Sequence, residues 1–219
     1  MHTYLVRKHR EWDKLDDREL HRVLELLDQN IQEEPNEKKN IRLWMQAVRR
    51  LVPPVGLEPV IERVSYWKAN SLEIDAVYYV YVLYALQAIE GSVLALPPMK
   101  ENIEECRRRS RLRPNRTGSF EWVGPGQRLQ RLVHYSELGS WDSSQDFWEN
   151  SERLARVKGT IVSLSGPEAG LVELSSGMRA FFVPGKSGHL RGRDENRAVT
   201  FYLGFSYDGP RAWEVQTAQ

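Results

Sequence analysis

Arg107, Arg108, Arg109, Arg111, Arg113 and Arg116 form the densest run of one charge in the chain. A guanidinium holds a phosphate through two parallel N–H bonds, so this cluster reads as a site for RNA, single-stranded DNA or another polyanion. The competing reading is structural. Glu104 and Glu105 precede the run, and positive charge complements a helix C-terminus. A second candidate is aromatic. Phe181, Phe182, Tyr202 and Trp213 fall on strand-like segments, where rings can stack bases over a basic groove. Strand alternation puts Phe181 and Phe182 on opposite faces, so one of them belongs to a core. The candidate nucleic-acid surface therefore comprises the six arginines with Phe182, Tyr202, Lys186, Arg191 and Arg193. Its competitor is packing against a neighbouring domain.

Other chemistry finds no support in the residues. Ala180 to Ser187 matches the loose phosphate-loop pattern, but its middle residues, Phe181, Phe182, Val183 and Pro184, are bulky. Gly188-His189-Leu190-Arg191-Gly192 cannot begin the helix whose N-terminus such a loop needs. His2, His9, His21, His134 and His189 are scattered, with no metal-ligand spacing. Cys106 is the single cysteine, which excludes an internal disulfide and suits a reducing compartment. No nucleophile elbow is present. The residues predict no catalytic site, no metal and no cofactor, hence no enzyme.

Charge is balanced overall, with 31 Lys and Arg against 30 Asp and Glu. That excludes a globally basic nucleic-acid binder and an acidic tail. The halves differ: residues 1–106 carry 14 basic and 18 acidic side chains, and residues 107–219 carry 17 and 12. The first twenty residues lack an apolar signal segment. The longest apolar run, Ala76 to Leu86, is too short to span a bilayer. A soluble intracellular protein is expected.

The elements that must hold these residues divide the chain. Leu20, Val23, Leu24, Leu27 and Ile31 make a helical stripe, with Asp16 as N-cap and Glu19 closing a capping box. Ile41, Trp44, Met45, Val48 and Val52 make a second, stopped by Pro53-Pro54. Val60, Ile61, Val64 and Trp67 mark a third. Asn70 and Glu73 form another capping box before Leu72 to Glu90. The middle of that segment favours strands by composition, but its length, its cap and Gly91 predict a buried helix. A fifth helix runs from Pro97-Pro98 to about Arg109. The period of about 34 residues between paired helices predicts a short tetratricopeptide-like array, of the kind that ends a longer solenoid, over residues 1–113.

Residues 114–150 read as a connector. Phe120 to Val123 suggest a strand followed by a turn, and Leu129, Leu132 and Val133 a short helix. Phe147 and Trp148 are expected to pack on the next domain. From Arg156, five short apolar runs follow: Val157–Leu164, Gly170–Leu174, Met178–Val183, Ala198–Phe205 and Arg211–Gln216. Residues 151–219 are therefore predicted to form a five-stranded barrel of the OB type. Val199, Phe201, Leu203 and Phe205 alternate as one buried face. The predicted class is α+β.

Gly159, Ala169-Gly-Leu-Val, Arg179-Ala-Phe-Phe-Val and Gly209-Pro210-Arg211-Ala212 through Val215 resemble a cold-shock domain in their order. The second of these strands differs from that pattern, carrying Glu168 and Glu173 and no aromatic. Over the whole chain, Asn40-Ile-Arg-Leu-Trp, Tyr78 through Gly91, Phe120-Glu-Trp-Val-Gly and Val199 through Pro210 resemble the C-terminal region of the sterile-alpha-motif domain-containing antiviral factors, the 9 and 9-like pair. The resemblance implies helical repeats followed by an OB domain. It also implies a cytoplasmic defence protein with endosomal links, whose nuclease-like and NTPase modules lie upstream. On that footing the chain is expected to be a non-catalytic regulatory or recognition module of innate immunity. It would contact protein partners or other domains of a larger chain, with RNA or single-stranded DNA sensing as the alternative.

Overall fold

The structure is a computed structural model that describes residues 15–34, 37, 39–41, 43–44, 47, 62, 74–110, 118–125 and 131–218. The chain divides into two compact units, residues 1–83 and 84–219.

In the first unit, α1 spans Asp17–Glu33 and buries Leu20, Val23, Leu27 and Ile31. Its N-terminus is capped as expected. The Asp16 carboxylate accepts from the Glu19 N–H at 2.8 Å, and the Glu19 carboxylate accepts from the Asp16 N–H at 3.3 Å. Two of the orphan donors of the first turn are thereby satisfied. The described residues among 39–47 are helical, and the Trp44 indole N–H donates to Asp28 of α1 at 3.1 Å. Helix α2 spans Ile74–Ile89. Tyr78, Tyr81, Val82 and Leu83 are all buried, and the Tyr78 and Tyr81 rings meet edge to face at 5.3 Å. Strand propensity loses here because the segment is enclosed on nearly all sides, where only a helix satisfies its own backbone.

The described residues do not establish a tetratricopeptide-like array. Met45, Val48, Val52, the third helix (except Glu62, which is helical) and the Asn70–Glu73 capping box lie outside them.

In the second unit, α2 is closed off by Gly91, whose φ is +102°. Gly91 N–H donates to Ala88 O and Ser92 N–H to Gln87 O, both at 3.0 Å, which closes the helix end with a left-handed residue that glycine supplies without strain. Helix α3 spans Leu96–Ser110 and buries Met99, Ile103, Cys106 and Ser110 on one face. Among the described residues nine strands follow: β1 (Glu121–Gly124), β2 (Arg131–His134), β3 (Trp141–Asp142), β4 (Phe147–Trp148), β5 (Arg156–Leu164), β6 (Gly170–Glu173), β7 (Arg179–Phe182), β8 (Ala198–Ser206) and β9 (Gly209–Thr217).

Strands β5, β6, β7, β9 and β8 close into a five-stranded barrel, because β8 pairs with both β5 and β9. All its pairings are antiparallel except β7 with β9, which is parallel. This topology fits an OB-like fold. The five expected strands are those observed, and Val199, Phe201, Leu203 and Phe205 fill the interior. At Gly159 an added Cβ would stand 2.7 Å from Glu173 O, so the β5–β6 crossing requires a residue without one.

Strand β9 carries a bulge between Trp213 and Gln216, where Glu214 adopts φ +45°. A bulge leaves a carbonyl outside the ladder. Arg156 takes it up: its Nη2 donates to Glu214 O at 2.6 Å, while Nε donates to Thr200 Oγ1 at 3.2 Å.

Strand β1 pairs with β8 at Glu121↔Phe205 and Trp122↔Gly204, and with β2 on its other side. Leu132 and Val133, expected as helix, are strand. Val133 faces Trp122 across the ladder, and both rest in one buried cluster with Leu138, Phe147 and Leu154. That shared burial decides the period. Among the described residues no helix is long and apolar enough to cross a membrane.

Two substitutions test these packings. Leu83→Asp places a carboxylate at a fully buried site and should cost several kcal/mol, read as loss of the cooperative thermal transition of the helical part. Gly204→Ala would set a Cβ 2.6 Å from Ser119 Oγ and 3.0 Å from the Trp122 ring. It should lower stability by about 1–3 kcal/mol in denaturant titration, whereas an unchanged midpoint would place β1 off the barrel.

Candidate recognition surface

The described arginines of the cluster work inside the fold. Arg107 donates from Nε and Nη2 to Asp208 O at 3.0 and 2.6 Å, tying α3 to the β8–β9 turn. A Cβ added at Gly209 in the same turn would stand 3.4 Å from Ile103, and one at Gly177 in the β6–β7 turn 3.5 Å from Leu96. Arg108 and Arg109 both engage Glu105, Arg109 at 2.6 Å. Their hydrogen bonds, Arg108's first, hold the Glu105 carboxyl below its ordinary range. Arg111, Arg113 and Arg116 lie outside the described residues.

The barrel aromatics are also assigned by packing. Phe182 points into the core, where its ring meets His189 edge to face at 6.0 Å. It cannot serve a surface, so the outward ring of that pair is its half-buried neighbour Phe181, lying under the Arg211 guanidinium at 4.9 Å. Tyr202 stacks on Phe147 at 5.3 Å and 14°, with Arg156 over its ring at 4.5 Å. Trp213 donates to Ser119 Oγ at 3.2 Å and packs against Trp122. The connector thus covers the outer face of β8 and β9, as the expected docking of Phe147 and Trp148 requires.

The basic side chains of the β7–β8 connection divide. Lys186 Nζ pairs with Asp146 Oδ2 at 2.6 Å, fastening the β3–β4 hairpin to the barrel. Residues Pro184–Ser187 form a single tight turn of 3-10 helix rather than a phosphate loop with a following α-helix. Arg193 and Arg197 converge on the buried Asp194 at 2.7 and 3.2 Å. Leu190 N–H also donates to Asp194 at 2.8 Å, and His189 Nδ1 lies 3.9 Å away. The Arg193 bond first, then the Leu190 N–H, lower the Asp194 carboxyl to about 2. His189 Nε2 lies 3.1 Å from Val215 O, so the loop is also pinned to β9. Arg191 is exposed.

One surface was not singled out from the sequence. Trp141 and Trp148 face each other across β3 and β4, and with Tyr135 they form a partly open aromatic patch. Trp141 is 40% exposed and Tyr135 42%. The signal was present in the sequence: Asp142 to Asp146 is a cluster of turn residues between a tryptophan and Phe147-Trp148, a hairpin signature. In the same hairpin, Asp142 accepts from Ser144 and Glu149 from Ser140, and the two serine hydroxyls hold both carboxyls below their ordinary ranges. Among the described residues no cluster of His, Cys, Asp and Glu could hold a metal ion. No protein-family model, curated protein or solved structure matches the chain.

Asp194 sets a pH dependence. A carboxyl whose folded value is depressed stabilises the fold fully above its unfolded value, near 3.8, and that contribution is lost as pH falls through about 2. Asp194→Asn should therefore be less stable than the parent at neutral pH. The difference between the two thermal midpoints should narrow between about pH 4 and pH 2.

Proposed function

We propose that the chain is a non-catalytic recognition module that acts through protein contacts. In the larger setting that its sequence resemblance suggests, it is the C-terminal regulatory end of a cytoplasmic antiviral factor, controlling an effector module upstream. The observation that carries the protein-contact reading is how the charges and rings are employed. Arg107, Arg108, Arg109, Lys186, Arg193 and Arg197 each bond within the chain, and Tyr202 and Trp213 are packed under the connector. Phosphate contacts would compete with those bonds. The exposed rings stand instead in a segment, His134 to Asn150, that holds four carboxylates and no lysine or arginine. Such a surface repels a polyanion and suits a polypeptide.

The competing reading, sensing of RNA or single-stranded DNA through Arg107–Arg116 and the barrel, is met by direct titration. The full chain is titrated with labelled RNA and single-stranded DNA over a salt series. No saturable binding is expected at physiological salt. Saturable binding whose affinity falls linearly with the logarithm of salt concentration would overturn the protein-contact reading, since that slope counts phosphates engaged. A slope flattened by Arg107→Ser with Arg108→Ser would then locate the contacts in the cluster.

A further inference from the structure

We infer that Ser143, at the tip of the β3–β4 hairpin, is a phosphate acceptor for an acid-directed serine kinase; the inference stands independently of the protein-contact reading above. Every residue of the turn, Ser143 to Asp146, is exposed. The other serine hydroxyls of this segment are engaged. Ser136 Oγ lies 2.7 Å from His134 Nδ1, Ser140 Oγ donates to Glu149 at 2.9 Å, and Ser144 Oγ donates to Asp142 at 2.6 Å. Ser143 Oγ has no hydrogen-bond partner among the described residues, so no bond of the fold has to break before it can act as a nucleophile.

Charge selects the class of enzyme. Asp142 immediately precedes Ser143, and Asp146 lies three residues after it. The Ser144 hydroxyl first, then the Ser144 N–H, hold the Asp142 carboxyl below its ordinary range, so it is ionised at neutral pH. A kinase with a basic substrate groove is complemented by this sequence, whereas one that requires arginine before the acceptor finds none between His134 and Ser143. Ser165 is the other described serine with a carboxylate three residues on, Glu168, but Leu164 precedes it and Pro167 intervenes. In the transfer, Ser143 Oγ attacks the γ-phosphorus of the nucleoside triphosphate held by the kinase. The Oγ–P bond forms and the bond from that phosphorus to the bridging oxygen breaks. Nucleoside diphosphate leaves, and the hydroxyl proton passes to the base of the kinase.

The product acts on the hairpin that carries it. A phosphoserine brings about −1.5 to −2 charges at neutral pH. It would adjoin Asp142 in a turn whose other acid, Asp146, fastens the hairpin to the barrel through Lys186 at 2.6 Å. The added anion repels both carboxylates and competes with Asp146 for Lys186, which loosens that fastening.

The test treats the full chain with nucleoside triphosphate, Mg2+ and a purified serine kinase that requires a carboxylate three residues after its acceptor. A kinase that requires arginine three residues before its acceptor is run in parallel, and phosphate is located by peptide mass spectrometry. The acid-directed kinase should place phosphate on Ser143, and Ser143→Ala should abolish the label in the hairpin while Ser144→Ala keeps it. Asp146→Asn, which keeps a residue that tolerates the left-handed backbone at φ +52°, should slow incorporation severalfold. Lys186→Met breaks the same ion pair and leaves the Asp146 charge, so it should not slow incorporation. In the phosphorylated chain carrying 15N-labelled indoles, the Trp141 resonance, assigned through Trp141→Phe, should shift. Phosphate on Ser144 or Ser165 in place of Ser143, equal labelling by the arginine-directed kinase, or a rate untouched by Asp146→Asn would overturn the acceptor assignment. A Trp141 resonance unmoved by complete phosphorylation would overturn the effect on the hairpin. Neither result bears on the protein-contact reading, which the nucleic-acid titration decides separately.

Discussion

Strand β8 is the constraint on which the second unit depends. One edge of it pairs with β9 from Val199 to Ser206. The other edge is shared: β5 takes Ala198 to Tyr202, and β1 takes Gly204 and Phe205. The first half of that arrangement closes the barrel, and the second lays the connector on its wall. Gly204 sits where the two meet. Its lack of a Cβ lets Ser119 and Trp122 approach the strand, and from that approach follow the burial of Phe147, the stacking of Tyr202 and the seat of Trp213. The rings an OB-like barrel can turn outward on β8 and β9 are thereby spent on the fold's own connector. What reaches solvent is the far side of that connector, the hairpin of β3 and β4.

The arginines show the same economy. Helix α3 ends with Arg107 aimed at the backbone of the β8–β9 turn, a hydrogen bond between residues 101 apart in the chain. A bidentate donor that could have met a phosphate meets one carbonyl instead, and its chemistry is identical in both uses. Residue type alone therefore could not separate a docking helix from a polyanion site. Only the partner does, and the partner comes from the distant turn at Asp208. Lys186 and Arg193 repeat the point, one bonded to Asp146 and the other to Asp194.

Much of the architecture was legible because it depends on local rules. The capping box at Asp16 and Glu19, the stop at Gly91, and the period-two alternation of β8 each follow from a few neighbouring residues, and each is where the sequence places it. Segments whose state is set by distant partners were not legible in the same way. Leu132 and Val133 carry a pattern too short to fix a period, and Trp122 across the ladder makes them strand. The Phe181–Phe182 pair announced that one ring is buried but not which. The choice depends on barrel closure, which points Phe182 inward toward His189 and leaves Phe181 beneath Arg211. The hairpin of β3 and β4 is two residues per strand, below the length at which alternation carries information. Its aromatic content therefore reads as packing alone.

The hairpin is held by few forces, and their nature bears on what it can do. Two residue pairs of ladder are too few to stand alone in water. The hairpin persists because Phe147 is buried against Trp122 and Tyr202, because Lys186 pairs with Asp146, and because Ser140 and Ser144 donate to Glu149 and Asp142. The anchoring fixes the geometry of the hairpin, so little ordering remains to be done when a partner arrives. A surface ordered in advance forfeits less conformational entropy on binding.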